Sequence, residues 1–186
     1  MVLLITLTSA AATPKPKIKV AGDGFPTGQE TPEGVATDYA RVFMHNDVGL
    51  LQRIVIRPYG GGSSRTEYQN FLNGLAGHMK NAKASKKQDP QNPAEILRVF
   101  AARHMSHNGP ASWGYACCNF QEVLFVDIES LLNDGTKFTT RTLVIKDHDG
   151  KWYVHPDPNV SPLLTYGLDD ESDSKRTFAE VYQIVR

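Results

Sequence analysis

The carboxylate of Asp127 is the strongest candidate in the sequence for acid–base chemistry. It follows Phe125 and Val126 within an apolar run. Burial disfavours the charged form of a carboxyl group and raises its pKa, which suits it to act as a general base. The alternative is a carboxylate that faces solvent or pairs with Thr142 on the neighbouring strand, and we favour this structural interpretation.

Two further side chains could act with Asp127. His155 is predicted on the same sheet face, but two strands away and offset by two residues. With strands about 4.8 Å apart and a rise of about 3.4 Å per residue, the two residues lie on the order of 12 Å apart, too far for a hydrogen bond. Arg141 is predicted on the apolar face beside Ile128. There its guanidinium extends outward to solvent or holds an acidic ligand at a pocket rim, and we favour the first.

The remaining polar motifs fall short of a metal or phosphate site. His104 and His107 are three residues apart, but zinc needs at least a third protein ligand, and His78 could supply it only through folding. Residues 147–150 are acidic, yet a hairpin explains them without calcium. The glycine-rich residues 60–64 lack the Lys-Ser/Thr ending of a phosphate-binding P-loop. We therefore predict no metal and no cofactor.

The composition is that of an ordinary globular domain. The chain has 186 residues, 40% of them hydrophobic, with 20 basic and 20 acidic side chains and a formal net charge of zero. A neutral chain lacks the basic surface that nucleic-acid binding uses, so we do not expect nucleic acid as a partner. No apolar run approaches the ~20 residues that a transmembrane helix needs. One domain of ~100–150 residues with additional terminal segments fits this length.

The first twelve residues have the pattern of a cleaved secretory signal. The apolar residues 2–8 precede the small residues 9–12, and a polar segment begins at Pro14. The pattern predicts a signal-peptide remnant at residues 1–12 and an exported, periplasmic or secreted, protein. The basic residues that normally open such a signal are missing, and an N-terminal strand or a disordered tail is the alternative. The adjacent Cys117 and Cys118 are read as two separate buried thiols rather than a disulfide.

Helical signals dominate the first half of the chain. Residues 13–30 are rich in Pro, Gly and Lys and are interpreted as a flexible linker, followed by a domain over residues 31–160. Thr31-Pro32-Glu33 predicts the start of a first helix. Asn46-Asp47 separates it from a short second helix, and Ser64 opens a third. Residues 96–105 carry signals for both helix and strand, so their structure stays open.

An antiparallel meander is predicted from residue 123 to residue 155. Asp134-Gly135 and Asp149-Gly150 are typical of two-residue hairpin turns. The first turn puts Val126 opposite Leu143, and the second puts Ile145 opposite Val154. One face then presents apolar side chains for the helices to cover: Leu124, Val126, Ile128, Leu143, Ile145, Trp152 and Val154. The other face presents Phe125, Asp127, Glu129, Thr140, Thr142, Val144, Tyr153 and His155.

The last 26 residues are interpreted as a polar tail that ends in a short amphipathic segment. Residues 161–174 are polar, with an acidic run at residues 169–171. The spacing of Phe178, Val181, Tyr182 and Val185 predicts one apolar side. This segment docks either on its own domain or on another subunit.

The order of these elements resembles the NTF2-like (cystatin-like α+β) superfamily. The resemblance rests on the first-helix phrase at residues 36–41, the short helix after Asn46-Asp47, and the strand phrase that runs from Leu143 to Lys146 and from Asp149 to Val154. It covers residues 31–156 and implies an α+β fold, in which N-terminal helices pack on a curved antiparallel meander. The implied cone encloses a pocket, with Tyr39, Trp113, Arg141 and Trp152 in the pocket or at its rim.

Members of this superfamily include ligand-binding modules, assembly domains and enzymes of the ketosteroid isomerase-like and polyketide cyclase-like kinds, so the fold does not choose the function. Our leading hypothesis is an exported, non-catalytic domain that binds a small apolar ligand or a protein, or that forms a homodimer through the sheet. The alternative is an isomerase, dehydratase or cyclase that uses Asp127 or a histidine. A third hypothesis is a structural domain of a cell-envelope assembly.

Overall fold

The computed structural model describes residues 18–58, 62–85, 88–104, 120–156 and 176–182, with the side chains of residues 62–64 left aside. Trp113, His107, the two cysteines, the predicted signal and the acidic part of the tail lie outside these residues. The elements, in chain order, are β1 (Lys19–Val20), β2 (Pro26–Thr27), α1 (Pro32–His45), α2 (Val48–Ile54), α3 (Gly62–Ser85), β3 (Pro93–Val99), β4 (Arg103–His104), β5 (Glu122–Leu132), β6 (Lys137–Lys146), β7 (Trp152–His155) and α4 (Phe178–Tyr182).

The first two helices begin where the capping residues predict. The Thr31 hydroxyl accepts a hydrogen bond from the Gly34 amide at 3.0 Å, with Pro32 as the first helical residue of α1. Asn46 ends α1 in the left-handed conformation, with φ at 47°. Asp47 then starts α2 by accepting from the Leu50 amide at 2.9 Å. These side chains satisfy amide groups that the first turn of each helix leaves without a backbone partner.

The main sheet is antiparallel and has the strand order β3-β5-β6-β7, with β4 also pairing β5. Residues 96–105, whose sequence left helix and strand open, thus contribute most of β3 and all of β4. A register shift between Ile96 and Arg98 breaks the regular alternation. Ile96 and Val99 are nonetheless buried against the core. Pairing with β5 therefore outweighs the local helix-capping signal in the sequence.

Both hairpin loops are one residue longer than predicted, so the predicted register is wrong. In the first, the Gly135 amide donates to the Leu132 carbonyl and the Leu132 amide to the Thr136 carbonyl, which leaves three residues in the loop. Only Gly135 has a positive φ there, 86°, whereas a two-residue turn of the predicted type needs two such residues. The second loop repeats this pattern around Gly150.

The longer loops shift each strand pair by one residue. Val126 lies opposite Thr142 rather than Leu143, and Ile145 lies opposite Tyr153 rather than Val154. A shift of one residue turns side chains to the opposite face of a sheet. Strand β6 is therefore inverted relative to the prediction. The second shift reverses the first, so β7 keeps its predicted face.

The two faces of the sheet have distinct surroundings. The face that α1 packs on, called here the helix-covered face, carries Ile96, Val99, Leu124, Val126, Ile128, Val144, Trp152 and Val154. The other, called the outer face, carries Arg103, Val123, Phe125, Asp127, Arg141, Leu143, Ile145, Tyr153 and His155. Its apolar part is buried with Ile56, Tyr68 and Phe120. Leu143 and Ile145 thus belong to the outer face, and Val144 to the helix-covered face.

Residues 18–30, interpreted from composition as part of a flexible linker, pack against α1. Arg41, only 9% exposed, holds them in place. Its guanidinium donates to both carboxylate oxygens of Asp23, at 2.9 and 2.7 Å, and to Asp38 at 2.7 Å. It also donates to the carbonyl of Pro26 at 3.0 Å. A buried arginine with this many acceptors fixes the β1–β2 hairpin on the domain.

The C-terminal segment docks on its own domain. The Ala101 amide donates to the Arg176 carbonyl at 3.0 Å, and Thr177 forms an isolated antiparallel bridge with Phe100. Phe178 is 3% exposed and belongs to the main core. The first of the two docking alternatives is therefore present within this chain. In the described part of the chain, the helices fall short of the length and apolar character that crossing a membrane requires.

Candidate functional site

Asp127 is buried on the outer face of the sheet and lies between two arginines. Its side chain is 7% exposed. Arg141, directly opposite on β6, donates from Nε to Oδ1 at 2.8 Å and from Nη2 to Oδ2 at 2.9 Å. Arg103 on β4 donates from Nη2 to the same Oδ2. We call Arg103, Asp127 and Arg141 the arginine–aspartate cluster.

The cluster corrects two predictions from the sequence. Arg141 was predicted on the apolar face beside Ile128, and Asp127 was predicted opposite Thr142. The longer first hairpin loop places Arg141 directly opposite Asp127, on the outer face. The two guanidinium carbons also lie 4.7 and 4.8 Å from the centroid of the Phe125 ring. Arginines at this distance gain a cation–π attraction to the ring, which helps to fix their planes.

This arrangement is unsuited to general base catalysis by Asp127. A general base needs an oxygen that can accept a proton from substrate at hydrogen-bond distance. Both oxygens of Asp127 already accept hydrogen bonds from guanidinium groups, which occupy the positions that a substrate proton would need. The carboxylate of Asp127 instead has a structural role, because its ion pairs connect β5 to β4 and β6.

The histidines that the structure describes do not form a catalytic or metal site with Asp127. His155 lies opposite Leu143, two strands from Asp127, and its ring packs 5.3 Å from that of Tyr68. His104 is exposed, with Nε2 3.9 Å from a carboxylate oxygen of Glu122. Within the described ranges, no group of three or more histidine, cysteine or acidic residues could hold a metal ion. The acidic residues 147–150 form the second hairpin loop, as expected.

Of the four residues predicted for a pocket in the cone, the three that the structure describes do not meet at one place. Tyr39 packs edge-on against Phe43, with ring centroids 5.0 Å apart, and burial raises its pKa. Trp152 is 5% exposed in the same core, on the helix-covered face. Arg141 lies on the outer face, and Trp113 is outside the described residues. Tyr39 and Trp152 therefore contribute to a packed core at this point of the molecule.

A groove lies instead between β3 and α4. It has a volume of about 260 Å³. Its walls are mainly apolar, with the exposed Arg98 as the charged residue among them: Phe25, Leu97, Arg98, Val99, Thr177, Phe178 and Ala179. The guanidinium of Arg98 lies 5.6 Å from the Phe100 ring centroid and 3.7 Å from Glu129. We call this feature the β3–α4 groove.

A second concave region, between the end of α2 and α3, has a volume of about 160 Å³. Apolar residues such as Leu51 and Leu72 line it together with the amides of Gln52, Gln69 and Asn73. It is smaller than the β3–α4 groove and brings no charged pair or histidine together.

Glu33 connects three parts of the chain near the β3–α4 groove. It is 2% exposed, in the first turn of α1. One carboxylate oxygen accepts from the Ala102 amide at 2.8 Å, and the other accepts from the Tyr182 hydroxyl at 3.3 Å. Burial raises the pKa of Glu33, although these hydrogen bonds oppose the rise. Burial also raises the pKa of Tyr182, with the Glu33 charge adding to the effect.

Two of the three residues on which the homodimer prediction depended, Phe125 and Val144, are buried within this chain, and Tyr153 is half-buried. Val144 has no exposed surface and lies on the helix-covered face, and Phe125 is 1% exposed. Tyr153 donates its hydroxyl to Asp149 at 2.6 Å, and both effects, burial and the aspartate, raise its pKa to about 12. Phe125 and Val144 are therefore unavailable for a contact between subunits in this arrangement. The homodimer stays a prediction.

The fold agrees with the resemblance stated from the sequence. Three N-terminal helices precede an antiparallel meander, and α1 packs on one face of it. The predicted α+β arrangement is present. Among solved structures, this chain is similar to a protein from Campylobacter jejuni described as an NTF2-like transpeptidase, with 12% identity, a TM-score of 0.41, and 66% of this chain and 95% of the other covered. No protein-family model and no curated protein matches the sequence. Nothing about activity follows from a similarity of this size.

Sequence reasoning missed Arg103, Glu33 and the β3–α4 groove. Arg103 falls in the segment whose helix and strand signals were balanced, so its position on the sheet was open. Glu33 reads as a helix-start residue, and only folding brings Ala102 and Tyr182 to it. The apolar spacing of residues 178–182 did indicate a docking segment, which is one wall of the groove.

Proposed function

We propose that this chain is a non-catalytic binding domain of an exported protein, and that it takes a small apolar ligand in the β3–α4 groove. The observation that carries the proposal is the groove itself. Ligand sites are concave and mostly apolar, with a few polar groups that fix orientation. A volume of about 260 Å³ is slightly below the ~300–1,000 Å³ of typical ligand pockets, so the ligand is small.

The position of α4 supports a ligand over a protein partner. Phe178 and Ala179 form one wall, while Phe25 of the N-terminal hairpin and Val99 of β3 form others. A site with walls on several sides encloses a small molecule, whereas a protein partner normally contacts about 800 Å² per side. Arg98 and Thr177 supply polar contacts at the wall for a ligand with one polar group.

The proposal of a non-catalytic role rests on Asp127, the strongest acid–base candidate in the sequence. Two arginines occupy its oxygens, and His155 is two strands away. Within the described residues, the groove contains no histidine or carboxylate among its lining side chains. An acid–base enzyme would need such a group at its ligand.

A neutral fluorescent probe tests the groove. N-phenyl-1-naphthylamine, which is apolar and uncharged, is titrated into the folded protein, with methyl NMR shifts of Val99 and Ala179 as the structural readout. Ala179→Trp fills the groove and is expected to weaken binding by at least about tenfold, a loss of about 1.4 kcal/mol. Val181→Trp adds the same ring on an exposed position of α4 outside the groove and serves as the control.

Saturable binding with shifts at both methyl groups, lost in Ala179→Trp and kept in Val181→Trp, supports the proposal. Absence of saturable binding by the wild-type chain, or equal binding by both variants, overturns it.

Export is proposed from the first twelve residues and has its own test. The chain is expressed in a Gram-negative host, the cell is fractionated, and the mass of the purified protein is measured. Removal of the residues before Thr13 in the periplasmic fraction is expected, because small residues precede that position. A variant with Leu4→Arg and Ile5→Arg breaks the apolar run and should stay unprocessed. A wild-type chain of full mass in the cytoplasm would contradict export.

A further inference from the structure

The arginine–aspartate cluster has an excess of positive charge in a mostly buried position. Its two arginines and one carboxylate sum to a net charge of +1. The side chains of Arg103, Arg141 and Asp127 are 13%, 23% and 7% exposed. On the same face, the described residues Arg98 and Glu129 pair with each other at 3.7 Å. Uncompensated charge in such a position is costly, because water screens it poorly.

The two guanidinium groups also have donors to spare. Each arginine carries five N–H groups in a planar fork. Asp127 takes three of the ten, from Nε and Nη2 of Arg141 and from Nη2 of Arg103. Nε of Arg103 is buried and has no hydrogen-bond acceptor among the residues that the structure describes. Buried donors normally have a hydrogen-bond acceptor, so the Nε–H group of Arg103 needs one from outside the described residues.

The geometry brings these donors together. Nη2 of both arginines contacts the same oxygen of Asp127, so the two guanidinium groups converge. The Phe125 ring lies within 5 Å of both guanidinium carbons. Asp127 and the ring therefore fix the two forks, and the partial exposure of both side chains leaves them accessible to a small molecule.

We propose that Arg103 and Arg141 bind the carboxylate of a small organic acid. A single carboxylate brings the net charge of the cluster from +1 to 0, whereas a phosphate dianion would reverse it to −1. A guanidinium fork matches the two oxygens of a carboxylate with parallel hydrogen bonds. Phe125 and Leu143 are buried within the chain, at 1% and 2% exposure, so the acid contacts the exposed parts of the two guanidinium groups. This site is independent of the β3–α4 groove.

Benzoate is the probe for this site, because it is a monoanion with an apolar body. It is titrated at constant ionic strength while the Nε–H resonances of the arginines are followed by NMR. Benzamide has the same shape without the charge, and inorganic phosphate is the competing oxyanion. We expect saturable shifts of the Arg103 and Arg141 resonances with benzoate, none with benzamide, and at least tenfold weaker binding of phosphate.

Two variants locate the effect. Arg103→Lys keeps the charge and loses the planar fork, and it is expected to weaken benzoate binding by at least tenfold. Arg53→Lys makes the same change at an exposed arginine of α2, outside the cluster and the groove, and should leave benzoate binding unchanged. If Arg103→Lys does not fold, the wild-type Nε–H shifts decide. Equal binding of benzamide or phosphate, or shifts at arginines other than these two, overturns the proposal, as does an unchanged affinity in folded Arg103→Lys.

Failure of this proposal and failure of the proposed function are distinguishable. The groove is tested with a neutral probe and a variant in α4, and the carboxylate site with a charged probe and a variant in β4. Val99 and Ala179 methyl shifts report only on the groove, and the Nε–H shifts of Arg103 and Arg141 only on the cluster.

Discussion

At the residue scale, buried charged side chains hold separate parts of this chain together. Arg41 joins the N-terminal hairpin to α1, and Asp127 joins β4, β5 and β6 through two arginines. Glu33 joins α1 to the segment after β3 and to α4. Removing one partner from such a site leaves the other buried without its counter-charge or hydrogen bond, so these residues are sensitive to substitution.

Glu33 makes the stability of the fold depend on pH. Burial raises its pKa in the folded state above the ordinary value of 4.5. Between these two pKa values the folded chain binds more protons than the unfolded chain, so the free energy of unfolding falls as pH rises through this window. Glu33→Gln keeps the shape and cannot ionise. We expect the stability of the wild type relative to Glu33→Gln to decline with rising pH above 4.5, measured by urea denaturation.

The control for this experiment is Glu67→Gln, an exposed glutamate on α3. Its substitution should leave the pH profile parallel to that of the wild type. A wild-type profile parallel to that of Glu33→Gln above pH 4.5 would show that burial does not shift the titration of Glu33.

The sequence named two of the three residues in the arginine–aspartate cluster but not their contact. Asp127 stood out because a carboxylate interrupts an apolar strand. With three-residue loops in place of two, the same pattern puts Arg141 opposite Asp127, and the ion pair would follow directly. Arg103 could not be found this way, since β4 has only two residues and pairs through a contact distant in sequence.

At the scale of elements, the capping residues and the strand pattern were sufficient to predict α1, α2 and the three strands of the meander. The register was not predictable from Asp-Gly alone. That dipeptide suits a two-residue turn and also a three-residue loop that ends in a glycine with positive φ, and the second is found here. The choice depends on how each loop packs and twists, which a dipeptide does not encode.

Two glycines in different elements should respond oppositely to alanine. Gly135 has a φ of 86°, so Gly135→Ala is expected to cost roughly 1–2 kcal/mol of unfolding free energy. Gly74 lies inside α3, where an added Cβ would meet no heavy atom within 4 Å among the described residues. Gly74→Ala should therefore stabilise the chain by roughly 0.5–1 kcal/mol. Urea denaturation measures the unfolding free energy of both variants. A change of the same sign in the two would contradict the assigned conformations.

Helix α4 depends on the domain for its structure, because a helix of five residues is unstable alone. Phe178 supplies its buried contact, and Phe178→Ala should lower the unfolding free energy by roughly 3–5 kcal/mol. Val181 on the same helix is 36% exposed, so Val181→Ala should change it by less than about 0.5 kcal/mol.

Thermal or urea unfolding at several protein concentrations measures the unfolding free energy of the two variants and the wild type. A Phe178→Ala variant as stable as the wild type would mean that the segment docks elsewhere.

At the scale of the whole molecule, the balance of charge sets the solution behaviour. The formal net charge is zero and the isoelectric point is about 7.0. Residues 1–12 contain no charged side chain, so removing them would keep the balance of 20 and 20. Proteins associate most readily where their net charge vanishes. Solubility is therefore expected to be lowest near pH 7.

Lys80 and Lys83, both exposed on α3, offer a direct check. Changing both to glutamate alters the net charge by −2 at each position, from 0 to −4, and should move the solubility minimum below pH 7. Changing both to arginine keeps the charge and should leave the minimum in place. Precipitation with polyethylene glycol across a pH series measures the pH of lowest solubility. If that pH is the same in the double glutamate variant as in the wild type, net charge is not the cause.

The lining of the β3–α4 groove comes from both ends of the described part of the chain. Phe25, near the beginning of the described residues, and Phe178, near their end, line the same cavity. The first and last segments that the structure describes therefore lie side by side. Close entry and exit points are what allow a domain to sit inside a surface loop of another protein without separating the two halves of its host.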